Sequence, residues 1–261
     1  MTPPASFLRK QESMASGVAK VPAITLGFWL IKILATTLGE TGGDAVTMSM
    51  NLGYLTGTAI FATLFTACVL VQIRAKQFHP LVYWTTIVAS TTVGTTLADF
   101  VTRSIGIGYT GGAALLLALV IASLWAWQRT LGTVSVDSVG DPKSEWFYWT
   151  TITFSQTLGT ALGDWVADTA GVGYVGGIAV FGTALAIVAF LHLRTHMSKT
   201  VLFWAAFILT RPLGAVVGDF LDKPLAKGGL DLSRFAASAW LAAAILACVL
   251  LLPQRAAERA H

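Results

Sequence analysis

The fold this sequence predicts is an all-α polytopic membrane bundle of eight transmembrane helices, built from four tandem two-helix repeats in parallel orientation. Three observations predict it. Hydrophobic residues make up 55% of the 261 and charged residues only 11%, with a mean hydropathy of +0.70, whereas soluble domains carry about a quarter charged residues. Eight stretches are long enough to cross a hydrocarbon core, which takes about 20 residues at a rise of about 1.5 Å each. One pattern then recurs four times along the chain, in "FWLIKILATTLGETGGD", "YWTTIVASTTVGTTLAD", "YWTTITFSQTLGTALGD" and "FWAAFILTRPLGAVVGD".

In chain order, residues 1–23 read as a solvated or interfacial cytoplasmic tail, because they hold basic residues but no short apolar core before a small-residue cleavage site. The spans follow as Ile24 to Thr47 and Tyr54 to Ile73, Leu81 to Thr102 and Tyr109 to Gln128, Trp146 to Ala167 and Tyr174 to Leu193, then Thr200 to Leu221 and Arg234 to Leu252. These pair into repeats over residues 24–78, 79–132, 146–198 and 199–252, with an inter-half loop at 133–145 and a second cytoplasmic tail at 253–261. Connections alternate in charge. Arg9, Lys10, Lys20, Arg74, Lys76, Arg129, Lys143, Arg194, Lys199, Arg255 and Arg259 fall on one side, and only Arg103, Lys223, Lys227 and Arg234 on the other. The positive-inside rule therefore predicts both termini in the cytoplasm, as expected for the bacterial inner membrane. Cys68 and Cys248 lie in apolar runs and read as small packing residues, with no disulfide framework.

The repeat is strict. Each unit starts with an aromatic followed by a tryptophan (Trp29, Trp84, Trp149 and Trp204), with a glycine ten and an aspartate fifteen residues later. The interval from Trp29 to Trp149 equals that from Trp84 to Trp204, the mark of a duplicated pair. Four tandem units of two spans with a tryptophan resemble the bacterial membrane proteins known as a repeat of unknown function, often labelled membrane-anchored. The resemblance covers about Phe28 to Leu252. It implies the fold and carries over no binding or catalytic residues. The fourth unit departs from it, with Pro212 where Thr37, Thr92 and Thr157 stand.

At about 100° per residue, the Trp, Thr and Asp of each odd span share one stripe. Gly39 and Gly43, Gly94 and Ala98, Gly159 and Gly163, and Gly214 and Gly218 form small-xxx-small patches beside it, which let backbones approach in lipid. The odd helices are thus expected to pack through glycine and to turn Thr37, Thr92, Thr157, Asp44, Asp99, Asp164 and Asp219 toward a shared interior, inside a lipid-facing ring of even helices. With the Trp at the cytoplasmic interface, Glu40 sits near the midplane and the aspartates in the outer third. Only the first unit has this glutamate; Thr95, Thr160 and Ala215 replace it elsewhere.

Ionisable groups at such depth are costly and usually functional. The competing expectation for the aspartates is a helix-end cap or tip anchor. Lys32 and Arg211 are the intramembrane cations, and together with Arg103 and Asp168 they are gating or ion-pair candidates. Five acids against Lys32 and Arg211 predict a cavity that prefers cations. Carboxylate and hydroxyl oxygens without Cys or His are a hard ligand set, suited to Mn²⁺, Mg²⁺, Ca²⁺, Na⁺ or H⁺. Glu40 and Asp44, one turn apart, are placed to share a proton. The sequence has no HExxH, GxSxG or phosphate-loop signature, so an enzyme is not expected, nor a cofactor, nor a nucleic-acid partner; "GIGYTGG" and "GVGYVGG" join two spans and are no dinucleotide loop. Two classes of function remain. One is a proton-coupled cation transporter, more specifically an exporter, whose partners are the bilayer and its small cation. The other is a sensor, assembly factor or scaffold whose buried acids are structural.

Overall fold

The computed structural model describes residues 19–257. The first eighteen residues, with Arg9 and Lys10, and the last four, with Arg259, lie outside them. The described residues form eight long helices: α1 Leu26–Asp44, α2 Tyr54–Arg74, α3 Pro80–Asp99, α4 Gly108–Leu131, α5 Pro142–Asp164, α6 Gly173–Arg194, α7 Lys199–Asp222 and α8 Arg234–Leu251. Each falls on a span expected from the sequence. Helix α5 begins inside the expected inter-half loop, because Asp141 caps it through Lys143 N (3.0 Å) and Ser144 N (3.2 Å) and Pro142 occupies the first turn.

The four odd helices close into a ring, α1 on α3, α3 on α5, α5 on α7 and α7 on α1. The repeat glycines make the seams. A methyl group on Gly39 would strike Thr91, one on Gly94 would strike Gln156, one on Gly159 would strike Arg211, and one on Gly214 would strike Thr36. All four partners stand seven residues after their own tryptophan, so every seam repeats the same contact from one unit to the next. Hydroxyls cross the seams as well: Thr36 donates to Thr210 O (3.2 Å), Thr91 to Ala35 O (3.1 Å) and Thr95 to Gly39 O (3.1 Å). In lipid such packing and bonding replace the hydrophobic drive.

Even helices line the outside, but each packs on the odd helix of the following unit: α2 on α3, α4 on α5, α6 on α7, and α8 back on α1. Contacts with the helix that precedes each one are few. The tips explain the crossover. After Asp44, Asp99 and Asp164 the helix widens into a π turn, and two left-handed residues then redirect the chain, Asn51 and Gly53, Gly106 and Gly108, Gly171 and Gly173. Only 11% of the apolar window of α2 and 17% of that of α6 and α8 is buried, against 67% for α7, so the even helices face outward. Helices α2, α4, α6, α7 and α8 are each long and apolar enough to cross a membrane. Helices α1, α3 and α5 carry more Thr, Gly and acid, which the ring encloses.

One expectation changes. The repeat tryptophans, expected at the cytoplasmic interface on the stripe of Thr and Asp, turn inward: Trp84, Trp149 and Trp204 are buried and Trp29 half-buried, and with Phe28, Tyr83, Tyr148, Phe203 and Phe207 they fill the terminal end of the ring. Their size and their edge-on contacts explain this, with Tyr83 and Tyr148 joined hydroxyl to hydroxyl (2.6 Å) at the centre. Trp125 and Trp146 are the exposed indoles near that end. Residues 19–23, expected in a solvated or interfacial tail, pack against the ring instead. Lys20 is buried, ion-paired with Glu145 (2.6 Å) and bonded to Ile73 O (3.0 Å), and Ala23 N donates to Arg255 O (2.8 Å). The charge is tolerated there because acceptors meet it.

Candidate functional site

The ring stacks one residue from each odd helix into layers, read here from the aromatic plug toward the glycine tips. Three residues after the tryptophans come Lys32, Ile87, Ile152 and Phe207; after seven, Thr36, Thr91, Gln156 and Arg211; after eleven, Glu40, Thr95, Thr160 and Ala215; after fifteen, the four aspartates. Arg211 is fully buried, and its Nη2 donates to Glu40 Oε2 (3.0 Å), Thr95 Oγ1 (2.6 Å) and Thr160 Oγ1. One side chain from α7 thus ties α1, α3 and α5 together across the axis.

Nearer the tips the charges follow a two-fold pattern. Arg103 pairs with Asp99 one turn before it (2.8 Å) and with Asp164 of the next unit (3.2 Å). Lys223 pairs with Asp219 one turn before it (2.9 Å) and with Asp44 of the following unit around the ring. Burial works against the Lys223 ammonium, but Asp219, Asp44 and Asp222 together hold its pKa above that of an ordinary lysine. Arg234 completes this side by pairing with Asp222 (2.7 Å).

Two groups of carboxylates converge. Oxygens of Glu40, Asp164 and Asp219, from α1, α5 and α7, lie within 4.8 Å of one another, and so do oxygens of Asp44, Asp219 and Asp222. All five acids are buried. At that separation two ionised carboxylates repel by on the order of 3 kcal/mol at an effective dielectric of about 20. Each group therefore favours a basic partner, a proton or a metal ion.

The expected site residues fall into place unevenly. Glu40, Asp44, Asp164 and Asp219 meet in these groups, whereas Asp99 belongs to neither and serves Arg103. Glu40 and Asp44 do not share a site, since Arg211 takes one and Lys223 the other. Thr37, Thr92 and Thr157 donate to their own helices, at Ile33 O, Val88 O and Thr153 O. Asp168 is exposed and forms no ion pair among the described residues, because its unit has an acid where Arg103 and Lys223 stand. The expected ratio of five acids to two bases is revised: Glu40, Asp44, Asp99, Asp164, Asp219 and Asp222 face the ion-paired Arg103, Arg211, Lys223 and Arg234, with Lys32 a fifth base two layers from Glu40 toward the plug. Lys223, Asp222 and Arg234 were not expected at the site. The signal for Lys223 was its place four residues after Asp219, matching Arg103 after Asp99.

A closed ring of repeat helices wrapped by apolar ones, with buried ion pairs inside, defines a multi-pass membrane protein of internally repeated helical hairpins. The chain belongs to the family Repeat of Unknown Function (DUF347), whose profile matches it four times, over residues 27–78, 82–133, 147–198 and 202–255. No curated protein and no solved structure matches it.

Proposed function

We propose that this protein is a secondary transporter of a small hard cation, with Mn²⁺ the first to test, exchanged against protons at Glu40, Asp164 and Asp219. The proposal sets it in the bacterial inner membrane with both termini inside. The supporting observation is a convergence of acids at one place. Six buried carboxylates share four ion-paired basic groups, and three of those acids, from three different repeats, bring oxygens within 4.8 Å. Such a group favours a cation or a proton, and an oxygen set matches a hard cation.

The test is flux into proteoliposomes under an imposed pH gradient, scanning Mn²⁺, Mg²⁺, Ca²⁺ and Na⁺. Asp164→Asn leaves Arg103 its partner Asp99, so folded yield should stay within about twofold while flux falls at least about tenfold. Absence of wild-type flux for every cation would sink the transport reading. Orientation is tested separately: cysteines at Asn51 and Gly171 should react with an impermeant reagent added outside intact cells, and those at Ala75 and Ser198 should not. The reverse pattern would invert the topology.

One observation favours a non-transporting scaffold or sensor. Arg211 and the aromatic plug fill the axis, and two pockets lie away from it, one by Ala23, Ser135 and Lys199 and the other by Leu119 and Trp146. On that reading, Asp164→Asn lowers yield and flux is absent throughout.

A further inference from the structure

Lys32 belongs to the layer where the other repeats place Ile87, Ile152 and Phe207, and all four are fully buried. Its ammonium lies 4.1 Å from the centroid of the Phe207 ring and has no hydrogen-bond partner among the described residues. The next layer toward the tips holds more unspent polarity. Arg211 uses only Nη2, so its Nε and Nη1 bond to nothing among the described residues, and neither the amide nitrogen nor the amide oxygen of Gln156 has a partner. Gln156 and Arg211 stand seven residues after their tryptophans on adjacent helices, one turn beyond the Lys32 layer, and Phe207, which the Lys32 ammonium overlies, is four residues before Arg211 on the same face of α7.

We infer that Lys32, Gln156 and Arg211 form a site on the ring axis for one small anion, a halide or a carboxylate the size of formate, in the half of the membrane nearer the termini. The donor set carries this. Lys32 brings three N–H groups, Arg211 two nitrogens with free N–H groups and Gln156 one NH₂, while the single free acceptor is the Gln156 carbonyl. Charge agrees. Glu40 answers Arg211, which leaves Lys32 with no carboxylate, and an uncompensated buried charge is strongly unfavourable. A monovalent anion neutralises it and takes up the free donors, and two positive side chains exclude a cation from the same place. Ile87 and Ile152 keep the layer dry, so the attraction is weakly screened. The site is separate from the carboxylate groups and opposite in charge, so it stands or falls apart from the transport reading.

The experiment titrates iodide into the purified full chain in detergent, at ionic strength held constant with gluconate, and follows tryptophan fluorescence. Trp84, Trp149 and Trp204 are buried within one turn of the Lys32 layer on its terminal side, so an iodide held there quenches indoles that dissolved iodide does not reach. A saturable component should rise above the linear quenching of the exposed Trp125, Trp146, Trp165 and Trp240. Chloride, bromide and formate should compete with it. Lys32→Met, similar in length and apolar, should abolish it; Gln156→Leu should weaken it at least about tenfold, the value of roughly one buried charge-assisted hydrogen bond; and the exposed Lys199→Met should leave it unchanged. Purely linear quenching of the wild type, or a saturable component that survives Lys32→Met, overturns the inference. Should Lys32→Met fail to fold, crystals of the wild type grown in bromide decide: an anomalous peak between Lys32 and Arg211 supports the site, and peaks at the surface alone overturn it. Iodide binding without any cation flux would sink the transport proposal and leave this site standing.

Discussion

Arg211→Met should cost about 3–5 kcal/mol, the range found when one partner of a buried pair is removed, and most of the protein should no longer reach a folded state. The side chain has no solvent exposure, and one of its nitrogens serves Glu40, Thr95 and Thr160 together. Without it, Glu40 lies among Asp164 and Asp219 with no basic partner among the described residues, and Thr95 and Thr160 lose their shared donor. The rescue is specific. Glu40→Gln combined with Arg211→Met removes both charges at once and should recover all but about 1–1.5 kcal/mol, since an uncharged pair of similar size is close to neutral. Monodispersity by fluorescence-detected gel filtration, with thermal midpoints for the single and double variants, measures this. A single variant within about 1 kcal/mol of wild type, or a double variant no better than the single, would show that the pair does not hold the ring.

The fold was legible because two periodicities agreed. Apolar length marked the spans, and the fourfold Trp-Gly-Asp register marked which spans were equivalent, so the glycine seams followed from Gly39, Gly94, Gly159 and Gly214 alone. The site was less legible. The stripe drawn through Trp, Thr and Asp took the position eight residues after the tryptophan for the interior, but the residues that touch across the seams are those seven and eleven after it. The helical wheel cannot decide between neighbouring stripes until the glycines fix which face meets the next helix. Once Gly159 is placed on Arg211 and Gly218 on Glu40, the axis residues follow.

The basic partners were missed for a different reason. Lys223 and Arg234 follow the last residue of a span or open the next one, and at such ends a cation usually reads as a solvated tip. They turn inward because buried acids meet them: Lys223 pairs with Asp219 and Asp44 as Arg103 pairs with Asp99 and Asp164, and α7 runs straight on to Asp222, which takes Arg234. The packing of each even helix on the following unit was also out of reach of hydropathy, which sees that α2 is apolar but not which odd helix it covers. The left-handed pairs at the tips were visible as "GIG" and "GVG" without showing where they would send the chain.

Gly94→Ala should be among the most damaging single-methyl changes in the molecule. An added Cβ would lie 2.8 Å from both the carbonyl carbon and the Cβ of Gln156, and 3.0 Å from Thr157 N. Two of those three atoms are backbone of α5, so no rotamer relieves the clash and the α3–α5 seam has to open. At Gly39 the same methyl would meet Thr91 at 2.2 Å and its backbone at 2.9 Å; at Gly214, Thr36 at 2.1 Å and its backbone at 2.9 Å. Overpacking in a tight core costs about 1–3 kcal/mol and more where the backbone is involved, and a closed ring has no free edge to absorb the shift. Opening the Gly39 seam also stretches the bonds from Thr91 to Ala35 O and from Thr95 to Gly39 O and moves Glu40 away from Arg211. Gly39→Ala should therefore lower both stability and whatever the carboxylates bind, while Gly94→Ala lowers stability alone by about 3 kcal/mol. Gly182 is the control: on α6 nothing lies within 4 Å of an added methyl, so Gly182→Ala should be neutral or stabilising by about 0.5–1 kcal/mol through helix propensity. The comparison is of thermal midpoints in one detergent. Equal midpoints for the Gly94 and Gly182 variants would mean that the seams are looser than these distances state, and that the ring is held by its ion pairs instead.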